Sequence, residues 1–140
     1  MNQPDVKEKV IDLLDNHKIG VLATVEQNQP RSRYMTFFND NFILYTPTNK
    51  ETPKAEDIEE NPHVHVLLGY DGEGFGDAYV EVIGKAAIRE DDYLKEKIWH
   101  DSMNRWLDGP NDPDYVVLEI KPDSIRLMNR KGDSPQELDF

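Results

Sequence analysis

Apolar residues recur at helical spacing from the start of the chain. Val6, Val10, Leu13, Leu14 and His17 fall on one face, with acids early and His17-Lys18 late, so an amphipathic helix is predicted over 5–17. From Ile19 the pattern shortens to β-prone runs at 21–25, 33–38 and 42–46, punctuated by Asn28-Gln29-Pro30 and Asn39-Asp40-Asn41. These read as a three-strand meander. Strands are also predicted at 64–69 and at 79–88, the second interrupted at Gly84, around a glycine-rich turn at 71–76.

Leu94, Ile98, Trp99, Met103 and Trp106 form an apolar stripe that predicts a second helix from Asp91 or Asp92 to about Trp106, broken by Asp108-Gly109-Pro110 and Asp112-Pro113. Two last strands, 116–120 and 124–128, are split by Lys121-Pro122-Asp123, and a polar, loose tail is expected over 131–140. There is no internal repeat or low-complexity linker. Six or seven strands joined mostly by short turns, with helices at the start, the middle and one insertion, argue for one α+β domain over 1–130 built as a small antiparallel barrel.

Composition narrows the chemistry. The 140 residues include 16 basic and 28 acidic side chains, a formal net charge of −12, which disfavours nucleic acid and anionic lipid. Cysteine is absent, removing disulfides, thiolate nucleophiles and cysteine-held metals. The first residues, MNQPDVKEKV, lack a signal-type apolar core, and no run approaches the roughly 20 apolar residues that span a bilayer. A cytoplasmic setting without membrane contact is therefore expected.

The few basic residues are not evenly spread. Arg31, Arg33, Lys50 and Lys54 lie near the stretch TNKETPK at 48–54, where Thr52 suits an N-cap, Pro53 the first helical position, and Asn61-Pro62 a stop. A helix N-terminus carries unpaired N–H groups and partial positive charge, so Lys50 and Lys54 are disfavoured there by about 0.3–1 kcal/mol each. A bound phosphate would reverse the penalty by gathering backbone donors, hydroxyls and ammonium groups on one dianion. A solvated helix start with incidental lysines is the alternative.

Motifs along the chain carry a resemblance. LATV at 22–25, RSRYMTF at 31–37, YTPTNKETPKAEDIEENPHV at 45–64, YVEVIGKA at 79–86 and GPNDPDYVVLEIKP at 109–122 stand in series. In these the chain resembles the FMN-binding split barrels related to pyridoxamine 5'-phosphate oxidase, and among them the short bacterial general stress branch. The resemblance implies a six- to seven-stranded antiparallel split β-barrel of Greek-key type with flanking helices, binding FMN at a homodimer interface. It implies that Arg33, Thr48, Thr52 and Lys54 hold the phosphate end, that Met35 and Thr36 line the ring edge, that Tyr79 approaches the ring, and that Trp106 is the aromatic a partner subunit brings near it. Pro53 stands where a second phosphate arginine is common, Tyr79 where the oxidase has glutamine, and the tryptophan- and arginine-bearing C-terminal segment of the oxidase is missing. Oxidation of pyridoxamine phosphate itself is thus not expected.

Flavin supplies its own reactivity, so no acid–base or nucleophile set is required of the protein, and catalytic residues are not assigned. His100-Asp101-Ser102 holds triad residue types, but neighbours on a helix point apart. His63 and His65 share a strand face without a third ligand nearby, so no metal site is assigned. Gly72, Gly74 and Gly76 lack the strand and helix of a dinucleotide-binding turn; they read as a loop with Phe75 at its tip. Two function classes follow: an FMN-dependent oxidoreductase or flavin reductase serving a small-molecule electron donor or acceptor, and a non-catalytic flavin-binding, storage or sensing module. A third reading replaces FMN by haem or a deazaflavin.

Overall fold

The computed structural model describes residues 2–72, 77–129 and 134–140. Gly74, Phe75 and Gly76 of the glycine-rich turn lie outside the described residues, as does Lys131. Helix α1, Gln3–Asn16, begins where the Asn2 side chain accepts from the Asp5 amide at 3.0 Å, and it buries Val6, Val10, Leu13 and Leu14. No helix among the described residues is long and apolar enough to cross a membrane.

Strands β1 (Ile19–Glu26) and β2 (Gln29–Thr36) pair through the two-residue turn Gln27-Asn28, whose φ values of 49° and 65° give the type I′ geometry that suits strand twist. Strands β3 (Phe38–Asp40) and β4 (Ile43–Asn49) form a second hairpin. The expected three-strand meander does not form: the two hairpins sit at opposite edges of the sheet, because β1 and β4 pair on their other sides with strands from later in the chain. Between them Phe37, 1% exposed, is buried in the core and donates its amide to Lys18 O at 2.6 Å, which turns the chain from one edge to the other.

Helix α2 (Pro53–Glu60) leads to β5 (His63–Leu68), β6 (Tyr79–Arg89) and β7 (Tyr115–Met128), each antiparallel to the next. The sheet order is β2-β1-β5-β6-β7-β4-β3, and with β4 beside β7, strands β5-β6-β7-β4 make the expected Greek key. The two last strands predicted from sequence are in fact one. Pro122 faces Gly84 at a register shift in the β6–β7 ladder, a place where proline is tolerated, and a Cβ on Gly84 would collide with Lys121 O.

The interior holds Leu22, Val66, Val82, Ile125 and their neighbours under α1. A second cluster of Leu94, Ile98, Met103, Leu107, Tyr115 and Val117 lies under α3 (Asp92–Ile98), so the first half of β7 is buried throughout. The long second helix is broken: α3 ends before Trp99, which packs on Tyr115 at 5.5 Å between ring centroids, and a 3-10 turn runs over Asp101–Arg105. The break has a local cause, since His100 Nδ1 accepts the Ser102 amide at 3.1 Å and caps the new turn. His100 and Ser102 thus meet, at 2.8 Å between Nδ1 and Oγ, in an exposed cap.

The tail also differs from its expected looseness. Strand β8 (Gln136–Glu137) pairs with Arg126 and Leu127, and Leu138 is 3% exposed in the core. Its apolar side chain, unremarkable in a polar segment, overrides the composition. Leu138→Ala should lower unfolding free energy by about 2 kcal/mol or more; chemical denaturation checks this, and a loose tail would show no change.

At the end of α1, His17 Nδ1 lies 2.8 Å from Leu13 O and Nε2 2.7 Å from Asp71 Oδ1. Both partners accept, so the imidazolium is favoured. The hydrogen bond to Asp71 chiefly raises the pKa above 6.5, burial opposes, and Leu13 O and the Asp12 charge add to the rise. A raised value gives stability that is full below 6.5 and lost as pH climbs through the folded-state pKa. The excess thermal stability of wild type over His17→Gln should therefore shrink over that interval, and a flat difference would contradict the ion pair.

Candidate functional site

The barrel is split where β2 approaches β4. No ladder joins these strands among the described residues; the Thr46 hydroxyl alone reaches across, donating to Thr36 O at 2.7 Å. Pro47, without an N–H to give, lies in this stretch of β4. A cleft of about 390 Å³ opens at the seam. Met35 and Thr36 line it from β2, Pro47, Thr48 and Asn49 from β4, and Thr52 and Lys54 from the start of α2, while Ile19, Tyr34 and Trp106 complete the wall.

The start of α2 is arranged differently from a simple cap. Thr52 stands at the N-cap position, but its hydroxyl makes no cap bond; it donates to Asn49 O at 2.8 Å and accepts from Lys54 Nζ at 3.2 Å. The hydroxyl ties the helix to the end of β4 and steers the ammonium. The positive end of α2 is therefore left without a side-chain acceptor, beside the cleft.

Arg33, partly buried, lines no part of this cleft. Its Nη1 reaches back to β1, donating to Thr24 Oγ1 at 2.8 Å and Leu22 O at 3.3 Å. Yet it is electrically coupled to the cleft: burial lowers the Lys54 pKa below 10.5, and the Arg33 charge lowers it further. Burial likewise lowers Arg33, with the Asp57 carboxylate opposing and Arg31 adding to the effect. Among the described residues neither Arg33 nor Lys54 forms an ion pair. The four-residue basic group suggested by sequence reduces to this pair, since Arg31 pairs with Glu26 and Lys50 is exposed, its amide donating to Asp114 O at 2.8 Å.

Of the other residues singled out by sequence, Met35, Thr36, Thr48 and Thr52 come together with Lys54. Trp106, 45% exposed, lines the cleft of its own chain. Tyr79 does not join them; it lines a neighbouring cleft of about 560 Å³ with Tyr70, the rings edge-on at 6.2 Å. The two clefts share Ile19 and Tyr34. His63 and His65 belong to neither: His65 Nε2 lies 3.3 Å from Glu81 Oε1, and no group of three or more His, Cys, Asp or Glu able to hold a metal occurs among the described residues.

Sequence reasoning missed Ile19, Tyr34, Pro47 and Asn49 as lining residues, and Asp57 as a buried charge. Tyr34 carried a signal, an aromatic between Arg33 and Met35 on an edge strand, and it is 79% exposed. Asp57 carried none; only the structure shows that it is buried with Ala55 and Ile58.

The sequence profile of the pyridoxamine 5'-phosphate oxidase family matches residues 6–129. The chain is 60% identical to General stress protein 26 of Bacillus subtilis (strain 168) over 140 residues, all of both proteins. The crystal structure of General Stress Protein 26 from Bacillus anthracis superposes with a TM-score of 0.84 at 42% identity, covering 94% of this chain and 98% of that one. A Clostridium acetobutylicum protein related to general stress protein 26 is similar in fold, with a TM-score of 0.79 at 20% identity over 98% of this chain and 96% of that one.

The electrostatics predict a titration. With its pKa lowered, charged Lys54 costs folded-state stability at neutral pH, and the cost is relieved as pH rises toward 10.5. An anion in the cleft should move the Lys54 pKa back up. NMR titration of the Lys54 side chain with and without inorganic phosphate measures both effects, and a value unmoved by phosphate would speak against an anion site.

Proposed function

The chain belongs to the pyridoxamine 5'-phosphate oxidase family, and from that premise we propose that it binds FMN in the cleft between β2, β4 and α2 as a small oxidoreductase or flavin reductase of the general stress type. The observation that carries this reading is a cation, Lys54, lining a cleft at an uncapped helix start, coupled to Arg33 and, among the described residues, answered by no ion-paired acid.

The residues fit the cofactor in kind. Lys54, the positive end of α2 and the nearby Thr48 hydroxyl suit the phosphate, with Thr52 steering the ammonium and Arg33 adding its charge from the β1 side. Met35, Thr36, Pro47 and Trp106 offer an apolar bed for the ring. Bound flavin supplies hydride and electron chemistry; the chain's task is to hold it, orient it and exclude water. Charge-assisted hydrogen bonds contribute roughly 1.5–3 kcal/mol each, so two of them supply about 3–6 of the ~8 kcal/mol of micromolar binding and ring burial must supply the rest.

A second copy of the chain completes the proposal. Ile19 is 62% exposed, Tyr34 79% and Tyr70 55%, all beside the clefts, an apolar surface that a homodimer would cover. We place this dimer in the cytoplasm, exchanging electrons with small molecules.

One observation also fits the second class, a flavin-storing or flavin-sensing module: among the described residues, Lys54 and Tyr34 are the only titratable side chains that line the cleft. Anaerobic mixing of the FMN complex with NADH or NADPH separates the two, because only the oxidoreductase bleaches flavin absorbance and turns over when an acceptor is added. An absorption spectrum of the purified protein distinguishes flavin from haem or a deazaflavin. Lys54→Ala or Arg33→Ala should weaken FMN binding about tenfold or more, less so at high salt. Fluorescence titration of flavin against each variant tests this, and unchanged affinity would remove the basis of the assignment.

A further inference from the structure

We propose that Asp57 is a built-in counter-anion beside the cleft, which stabilises the Arg33 cation when the site is empty and repels the phosphate group when it arrives, so that it sets how tightly the ligand is held. The identity of that ligand rests on the FMN reading; the role of Asp57 rests on the anion site alone.

Asp57 is 4% exposed on the buried face of α2 with Ala55 and Ile58, and this helix packs on β1 and β6. Its Oδ2 is buried and has no hydrogen-bond partner among the described residues. A buried carboxylate oxygen without a partner is costly unless the surrounding field favours its charge. The charges placed to supply that field are close in the fold. Lys54 precedes Asp57 by one helical turn, and the Arg33 guanidinium is held on β1 at Thr24, itself 1% exposed.

Asp57 forms no ion pair with either cation, so it acts through space. It favours the charged form of Arg33 against the desolvation that opposes it. Arg33, Lys54 and Asp57 together carry one net positive charge, and a neutral residue at 57 would leave two. The empty site would then be less stable, whereas a phosphate would meet a stronger attraction. A carboxylate retained only for packing predicts the reverse pattern, with stability and binding lost together.

The test compares wild type with Asp57→Asn, which keeps the shape and removes the charge. The thermal midpoint of the ligand-free protein should fall, while affinities for FMN and for inorganic phosphate rise about threefold or more at low salt, the gain shrinking in ~0.5 M salt. Riboflavin, lacking phosphate, should show no gain. Affinity that is unchanged or weaker in Asp57→Asn overturns the proposal. Should wild type bind phosphate but not FMN, the flavin reading fails and the phosphate comparison still decides the role of Asp57; should it bind neither, both fail. The double variant Asp57→Asn/Arg33→Gln guards against misfolding of the single one. Recovery of part of the lost midpoint supports charge compensation, and no recovery overturns it.

Discussion

The structure depends on a pairing that is not made. β2 and β4 converge without a ladder, joined by the Thr46 hydroxyl, and the cleft opens at this seam. Had the strands paired, the barrel would be closed and filled, as small closed barrels are. Each hairpin is instead committed on its other side, β1 to β5 and β4 to β7, so neither has a reason to zip to its sequence neighbour. The seam then brings the ends of β2 and β4 beside the start of α2, and every named contact of the cleft follows from that placement.

Charge is stored at the seam. A half-buried guanidinium and a half-buried ammonium, each with its charged form disfavoured by burial, are held by neutral oxygens of Thr24, Leu22 and Thr52. Neutral acceptors fix the geometry of a cation without cancelling its field. An acidic protein can thus present a local positive site, because its 28 carboxylates are mostly solvated or paired elsewhere, as Glu119 is with Arg89 at 2.7 Å.

Much of this was legible in the sequence, and the limits have physical causes. The helix start at 52–54 was visible because Thr, Pro and the later Asn-Pro mark it chemically, and the residues around it do gather at one cleft. The fold followed from strand-length runs and turn residues. Pairing partners were less visible: 21–25, 33–38 and 42–46 look alike whether they form a meander or two separated hairpins, since only the distant β5 and β7 decide. Lys121-Pro122-Asp123 resembled a turn because the release of proline's constraint lies in Gly84, far along the chain. Trp99 and Trp106 looked like one helical stripe because the spacing is right, yet a histidine cap divides them. Asp57 was hidden for a different reason, since an acid in an acid-rich helix carries no mark of burial.

The central position of β7 also bears on how the molecule comes into being. It is flanked by β6 and β4, and its stretch Tyr115–Ile120 is buried on both faces, so the sheet has no middle until that segment is available. During synthesis the ribosome delivers it only after β1 to β6, leaving β4 and β6 with open edges and a bare apolar surface in the meantime. Until that segment arrives the nascent chain is an incomplete sheet, and it is in that interval that chaperones have the most to shield.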